Sequence, residues 1–268
     1  MRWVGVLALA LAAAASAQPQ AEPAARATPE ELLRAAFANR YEVDTIYEME
    51  LIMRDRGGHE QRRRLHTVSK RIDGRSHSMG QVTEPASLRG TSVLIIESAG
   101  GGLDMFVYLP ALRRARRVSS SQRLDSFLGS DLTYEDFERQ RAADFAVEPL
   151  PDEQVAGEAC RVVRATPKDE RAYATVVFAI AESDRAILEY RYFEAAKTTP
   201  YRVITTPRSA MRERNGHLLP TRFEVRNLER GTSTDLAILE LAVDRPIEDR
   251  LFSVRALEQK AELPAAAE

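Results

Sequence analysis

The sequence predicts a mainly β fold with one or two helices, in which about ten antiparallel strands curl into a barrel or a half-barrel. Apolar and polar residues alternate with a period of two through most of the chain. Short turn sequences such as Glu182-Ser183-Asp184 and Asn215-Gly216 separate several of these runs, as in an antiparallel meander. A sheet of this size rarely stays flat, so its inner face has to be filled by side chains, a helix or a ligand.

The first 17 residues have the pattern of a cleaved Sec-type signal peptide. Arg2 supplies the positive charge, residues 3–15 are apolar or small, and Ala15-Ser16-Ala17 provides the small residues that signal peptidase requires. The apolar run is shorter than the roughly 20 residues of a membrane span, which favours a cleaved signal over a retained anchor. We therefore expect cleavage after Ala17 and a periplasmic protein that contacts membranes only transiently.

Residues 28–258 are predicted to form one domain, because no linker and no internal repeat is found between residues 41 and 258. Residues 18–27 are rich in Pro, Ala and Gln and are expected to form a disordered leader. Residues 259–268 are expected to form a disordered tail.

The first element of this domain is predicted to be a helix from Thr28 to about Arg40. Thr28 is placed to cap it, Pro29 suits the first helical position, and Glu31 completes a capping box. The segment from Ser130 to Gln140 is the second predicted helix. The strand-like runs are 43–54, 61–72, 91–97, 104–109, 116–119, 159–165, 173–181, 186–195, 201–207, 221–228 and 235–243.

Neither catalysis nor metal binding is indicated by the motifs. The 38 basic and 40 acidic residues nearly balance, so no nucleic-acid partner is indicated. The histidines His59, His66, His77 and His217 lack the spacing of a metal site, and no G-x-S-x-G or S-x-x-K motif is present. We predict no catalytic residue, no metal and no cofactor, and a hydrolase with a dispersed Ser-His-Asp triad is the weakest alternative.

Cys160 is the only cysteine, so the chain has no internal disulfide. It lies in a strand-like run, and we expect it to be a small buried residue rather than a nucleophile.

Four of the five residues from Arg113 to Arg117 are arginines: Arg113, Arg114, Arg116 and Arg117. These charges repel one another unless they meet anions. They could pair internally with acidic residues that follow in the chain, namely Asp125, Asp131, Glu135 and Asp136. Alternatively, they could contact a phospholipid head group or an acidic partner surface. The sequence leaves both interpretations open.

The arginine run belongs to a long motif, Y-L-P-A-L-R-R-A-R-R-V at 108–118, followed by F-L-G-S-D-L-T-Y-E-D-F at 127–137. This motif resembles that of the LolA-like outer-membrane lipoprotein-sorting protein family, and further similarities extend over residues 28–258. The resemblance implies a LolA/LolB-like fold, a half-open antiparallel β-barrel around helices with an apolar concave face. It also implies a periplasmic carrier that shields acyl chains between the two membranes. Members of this branch are often linked with exporters of the resistance-nodulation-division type, and this sequence lacks the lipobox cysteine of the membrane-anchored acceptor.

The function predicted from the sequence is therefore a non-enzymatic carrier of lipoprotein acyl chains or another lipid, with the first helix and Gly129-Ser130 as plug or lid. The alternative is an accessory protein that docks through its arginine run on such an inner-membrane exporter or an envelope assembly factor, with the barrel filled by its own side chains. The sequence leaves open which face of each strand points inward. The candidate lining residues are Tyr47, Met49, Leu51, Met53, Val93, Ile95, Phe106, Tyr108, Val177, Phe193 and Leu239.

Overall fold

The computed structural model describes residues 26–266 except 42, 100, 101, 120, 121, 123 and 139. The predicted signal peptide and residues 18–25 of the predicted leader lie outside the described residues. None of the helices described is both long and apolar enough to cross a membrane.

The described part of the chain contains two α-helices, α1 (Pro29–Tyr41) and α2 (Val254–Glu258), and fifteen strands. The strands are β1 (Thr45–Arg54), β2 (Glu60–Ile72), β3 (Arg75–Glu84), β4 (Ser92–Glu97), β5 (Leu103–Leu109), β6 (Arg114–Arg117), β7 (Phe145–Val155), β8 (Glu158–Pro167), β9 (Thr175–Ala181), β10 (Ile187–Phe193), β11 (Arg202–Thr205), β12 (Met211–Arg214), β13 (His217–Pro220), β14 (Arg222–Asn227) and β15 (Thr232–Val243).

Thirteen strands form one antiparallel sheet in the order β6-β5-β4-β3-β2-β1-β15-β14-β11-β10-β9-β8-β7, and β12 and β13 form a separate hairpin. The middle of the sheet is the pairing of β1 with β15, which runs from Thr45 opposite Val243 to Arg54 opposite Ser233. Among the described strands, none pairs the edge β6 with the edge β7. The predicted class, mainly β and antiparallel with few helices, is confirmed, but the sheet is not closed into a barrel.

One face of the sheet, called here the inner face, is covered by α1 and by the connection between β6 and β7 (residues 118–144). The inner core contains residues of both halves of the sheet, from Val107 on β5 to Val163 on β8. The predicted helix is confirmed as α1: the Glu31 amide donates to the Thr28 hydroxyl at 3.2 Å, and the Thr28 amide donates to the Glu31 carboxylate at 2.9 Å. Its apolar stripe is buried, and the Phe37 ring packs edge-on against Phe178 at 5.5 Å between centroids.

The outer face has two separate cores. Residues 247–266 cover the half that contains β2 to β5, where Leu257 belongs to the same buried cluster as Val68 and Leu94. The other half buries Cys160, Val177 and Leu188, against which Met211 and Leu218 of the β12–β13 hairpin pack. Residues 259–266, which the sequence analysis placed in a disordered tail, belong to this covering: Ala266 is buried, and His66 Nε2 lies 2.7 Å from the Pro264 carbonyl oxygen.

Four strands have no counterpart in the sequence analysis: β3, β7, β12 and β13. Strand β7 contains Pro149 and Pro151, which an edge strand tolerates because one side of its backbone needs no hydrogen-bonding partner. The helix predicted from Ser130 to Gln140 is reduced to a 3₁₀ turn at Tyr134–Phe137. The Ser126 hydroxyl donates to the Ser130 carbonyl at 2.5 Å and the Thr133 amide donates to the Asp136 carboxylate at 2.7 Å, and such local bonds compete with a regular helix.

Candidate functional site

A cleft of about 190 Å³ lies on the inner face at the centre of the sheet. Its apolar residues come from β1, β13, β14, β15 and the β6–β7 connection: Val43, Tyr47, Met49, Phe137, Leu219, Pro220, Phe223, Leu236, Ile238 and Leu241. Its polar residues gather where β1, β2 and β3 meet: Thr45, Ser69, Lys70, Arg71, Ser76 and Ser78, with Asp136 beside Phe137. An apolar cavity of about 150 Å³ is large enough for benzene, so this cleft has room for a few methylene groups only.

A second cavity of about 40 Å³ adjoins this cleft. The two share Asp136, Phe137, Phe223 and Leu236 as lining residues. The Phe137 ring packs on Phe127 with 4.4 Å between centroids. Movement of Phe137 away from the sheet would therefore join the two cavities.

The anchored segment, residues 126–138, forms the roof of both cavities and is tied to the sheet by polar contacts. The Asp131 amide donates to the Thr234 hydroxyl of β15 at 2.9 Å, and that hydroxyl donates to the Asp131 carboxylate at 3.0 Å. Asp136 forms a two-pronged ion pair with Arg202 of β11, at 2.7 and 2.8 Å. This geometry is the strongest form of carboxylate recognition by arginine.

Arg171, in the loop between β8 and β9, provides a second ionic anchor. Its guanidinium lies 3.2 Å from Glu135 and 3.0 Å from Glu138, and the Ala172 amide also donates to Glu135, at 3.1 Å. Both carboxylates are buried. Burial opposes the charge on Arg171, but the pKa of Arg171 is raised overall because Tyr173, Glu135 and Glu138 surround it.

Arg202 is only 3% exposed. Burial opposes its charge, yet the neighbouring Asp136 carboxylate raises the pKa of Arg202 overall, and its guanidinium also stacks 4.2 Å from the Tyr192 ring centre. Three buried atoms near the anchored segment have no hydrogen-bonding partner within the described residues: Nε of Arg202, Oε1 of Gln140 and the Tyr173 hydroxyl.

Three of the four acidic residues that could pair internally with the arginine run have other partners in the described part of the chain. Asp131, Glu135 and Asp136 bind Thr234, Arg171 and Arg202 instead. Arg117 pairs with Asp104. Arg113, Arg114 and Arg116 are exposed and have no ion pair within the described part of the chain.

The candidate lining residues are divided between the two faces. Tyr47, Met49, Leu51, Val93 and Ile95 lie in the inner core, and of these Tyr47 and Met49 line the cleft. The remaining six do not line the cleft. Phe106 and Tyr108 lie under residues 247–266, and Val177 and Phe193 belong to the second outer core. Met53 is buried near the end of β1, and Leu239 is 49% exposed.

Sequence reasoning missed Arg171, Arg202 and all the cleft residues on β14 and β15, which are Phe223, Leu236, Ile238 and Leu241. Arg202 interrupts the apolar inner side of β11, where it precedes the inward-facing Ile204 by two positions, and this interruption is its only local signal. Cys160 is buried as predicted, and burial raises the pKa of its thiol. No cluster of three His, Cys, Asp or Glu suited to a metal ion occurs among the described residues.

A family model described as "Uncharacterized protein" matches residues 74–259. The comparison with curated proteins gives no match. A DUF1329 family protein from Desulfovibrio piger is 26% identical, with a TM-score of 0.78 over 85% of this chain and 97% of its own.

Two further crystal structures have the same fold. An outer membrane lipoprotein-sorting protein domain from Vibrio parahaemolyticus is 22% identical, with a TM-score of 0.79 over 86% of this chain and 98% of its own. A LolA superfamily protein from Nitrosomonas europaea is 20% identical, with a TM-score of 0.66 over 85% of this chain and 98% of its own. The chain therefore belongs to the family that the matching model describes, and it has the fold of the lipoprotein-sorting domain and of the LolA superfamily protein.

Proposed function

We propose that this protein is a non-enzymatic periplasmic carrier that binds the acyl chains of a lipoprotein or another lipid during transport between the inner and outer membranes. The observation that carries the proposal is the cleft on the inner face, which is apolar at one end, polar at the other and roofed by a segment with polar anchors. The LolA-like fold, which is shared with a lipoprotein-sorting domain, supports the same function.

Burial of an acyl chain supplies the energy for such binding. Each methylene group moved from water into an apolar site contributes about 0.8 kcal/mol, and a whole chain on the order of 10 kcal/mol. Because the cleft has a volume of only about 190 Å³, a long chain requires the anchored segment to move and Phe137 to leave its place between the two cavities. The sheet and α1 would stay in place as the rigid part of the carrier.

Movement of the anchored segment is favoured by the way it is attached. When the ion pair of Asp136 with Arg202 separates, both groups gain water, which offsets most of the lost attraction. An equally large apolar attachment would have no such compensation. The anchored segment thus suits a lid better than the apolar stripe of α1 does.

The test is native mass spectrometry, with lipid extraction, on mature protein purified from the periplasm without detergent. We expect a bound mass in the range of a lipid or acylated peptide. Ile238→Asp, which places a charge in the cleft, should abolish this mass. Leu239→Asp is the matched control, because the adjacent side chain is 49% exposed and lies outside the cleft. An apo mass for the wild-type protein, even after incubation with membranes, would contradict acyl carriage.

The second candidate function is an accessory protein that docks on an exporter of the resistance-nodulation-division type or on an envelope assembly factor. It is favoured by the exposed Arg113, Arg114 and Arg116 at the sheet edge, beside Leu112, which is 58% exposed. It is also favoured by the extent to which the protein's own side chains fill the inner face. Replacement of Arg113, Arg114, Arg116 and Arg117 by Ser should then abolish partner capture without changing lipid content.

A further inference from the structure

Strand β15 is paired along its whole length on one side but along only half of its length on the other. It pairs with β1 as far as Val243, and with β14 only as far as Ala237. The last bond on the β14 side joins the Ile238 amide to the Thr221 carbonyl at 2.8 Å. Strand β13, which precedes β14 in the chain, does not continue this pairing. The space between β13 and the end of β15 is called here the β13–β15 gap.

Two residues of β15 direct their backbone groups into this gap. The Asp244 amide donates to the Asp44 carbonyl at 2.9 Å, so every second residue before Asp244 faces β1 and the residues between them face away. The N–H and C=O groups of Leu241 and Val243 therefore point into the gap. None of these groups has a hydrogen-bonding partner in the described part of the chain. Both residues are half-buried, so bonds made there are partly shielded from water.

Strand β13 presents a second unpaired edge on the other side of the gap. Its pairing with β12 begins at the two-residue turn Asn215-Gly216, which sets the alternation of its backbone groups. The N–H and C=O groups of Leu218 and the carbonyl of Pro220 therefore face away from β12, toward β15. The Asn215 side chain donates to the Asp244 carboxylate at 3.0 Å and closes the far end of the gap. Two facing edges of this kind suit an extended strand between them.

The gap is continuous with the apolar part of the cleft. Leu219 and Pro220 on one side and Leu241 on the other belong both to the strands that border the gap and to the lining of the cleft. Strand β15 bulges at Leu239, which has no partner on β1 and is 49% exposed. A bulge bends its strand, which accounts for the divergence of β15 from β13 at this point. A ligand with its alkyl part in the cleft can therefore extend a further part through the gap.

We propose that the β13–β15 gap binds an extended peptide, the polypeptide segment that follows the acyl-carrying residue of a lipoprotein. This inference rests on the proposed function, since the acyl chain would occupy the adjoining cleft. The alternating N–H donors and C=O acceptors of Leu241 and Val243 match a peptide backbone, whereas a phosphate head lacks the donors that these carbonyl groups require. Recognition through the main chain depends little on side chains, so acylated proteins of different sequence would fit.

The experiment is isothermal titration calorimetry of the mature protein with four probes, each below its micelle concentration. The first is decanamide, and the second is the pentapeptide Ser-Thr-Val-Thr-Ser with an N-terminal decanoyl group. The third is the decanoyl peptide with its three internal amides N-methylated, and the fourth carries an acetyl group in place of decanoyl. We expect the decanoyl peptide to bind about tenfold more tightly than decanamide, as for two additional hydrogen bonds. N-methylation should remove this gain.

The substitution Val243→Pro removes one N–H group from the gap at a position where β1 requires none. It should weaken binding of the decanoyl peptide about fivefold and leave decanamide binding unchanged. Val243→Ala is the matched control, because it shortens the same side chain and keeps the amide. Thermal unfolding would verify that both variants fold. In the wild-type protein, amide exchange at Leu241 and Val243 should slow when the decanoyl peptide binds but not when decanamide binds.

The outcomes separate the peptide site from acyl carriage. Equal affinity of the wild-type protein for decanamide and the decanoyl peptide, or for the N-methylated and unmethylated peptides, would overturn the peptide site and leave acyl carriage intact. Binding of both unmethylated peptides without binding of decanamide would overturn acyl carriage and leave the peptide site. Failure to bind any probe would count against both. A dimer in the native mass spectrum that Val243→Pro dissociates would assign this edge to a second copy of the chain and overturn the peptide site.

Discussion

The two coverings of the sheet are attached in different ways. On the inner face, the anchored segment carries the buried carboxylates Glu135 and Glu138 and is tied to Arg171 and Arg202. On the outer face, residues 247–266 bury Ile247, Leu251, Phe252, Leu257 and Ala266, and within the described chain this covering has no buried charged side chain. The inner covering thus combines buried ion pairs with buried apolar residues such as Phe127 and Leu132, whereas the buried side chains of the outer covering are apolar.

The difference indicates which covering can move. Separation of an apolar covering from the sheet costs about 25 cal/mol for each Å² exposed, without compensation. Separation of buried ion pairs returns their hydration, so the net cost is much smaller than the attraction suggests. The cleft lies under the anchored segment, whose separation from the sheet is expected to cost less free energy, as the proposed carrier would require.

The largest effect is expected from Arg202→Met. This substitution leaves the Asp136 carboxylate, which is 9% exposed, without its ion-pair partner, and should lower the free energy of unfolding by about 3–5 kcal/mol, measured by urea denaturation. Addition of Asp136→Leu to this variant should recover most of the loss, because both charges are then absent. If Arg202→Met alone were as stable as the wild-type protein, the ion pair would not anchor the segment.

An intermediate effect is expected from Phe137→Ala, which removes the ring between the two cavities. We expect a loss of about 2 kcal/mol in unfolding free energy, because Phe137 is only half-buried, together with tighter binding of longer alkanols. Each additional methylene that enters the joined cavity should raise affinity about fourfold, measured by calorimetry across an alkanol series. Phe252→Ala on the outer face is the comparison: it should lose stability without any change in chain-length preference.

The smallest expected effect is a loss of stability of the β12–β13 hairpin at acidic pH. Hydrogen bonds from Arg208, which immediately precedes this hairpin, lower the pKa of Glu158 below its ordinary value. The stabilisation is therefore complete above the unfolded pKa of about 4.3 and is lost as the pH falls through the lower pKa of the folded state. The amide protection factors of residues 211–220, which compare exchange with that of an unfolded chain at the same pH, should fall over this acidic window in the wild-type protein. In Arg208→Gln they should already be low at neutral pH, with a weaker pH dependence.

The parts of the fold that sequence predicted are those set by local signals. Helix α1 follows from the reciprocal Thr28 and Glu31 contacts and a stripe of buried residues within its own thirteen positions. Strand β1 follows from its alternation, which also gave Tyr47 and Met49 as cleft residues. Strand β3 was not found, because its run of Ser, His, Gly and Gln has too few apolar residues to indicate a buried side.

The sequence alone could not predict which side of some strands faces inward, or which arginines pair with the acidic residues of the anchored segment. Strand β9 is buried on both sides, so its apolar residues do not indicate that Val177 faces outward and Phe178 inward. The partners Asp136 and Arg202 are 66 positions apart, and Glu135 and Arg171 are 36 positions apart. The motif at 127–137 drew attention to this segment, but its acidic residues Glu135 and Asp136 bind arginines that lie far outside the motif.

The central pairing of β1 with β15 has a consequence for how the chain is made. It joins residues near the two ends of the domain, so β1 has no partner on one side until residue 243 has been synthesised. Contacts between residues so distant in sequence form slowly, because a long loop must close first. Until then β1 is an open edge rich in Ile, Leu and Met, a template for pairing with other chains. A chain truncated before Thr232 should therefore aggregate rather than fold as half a sheet.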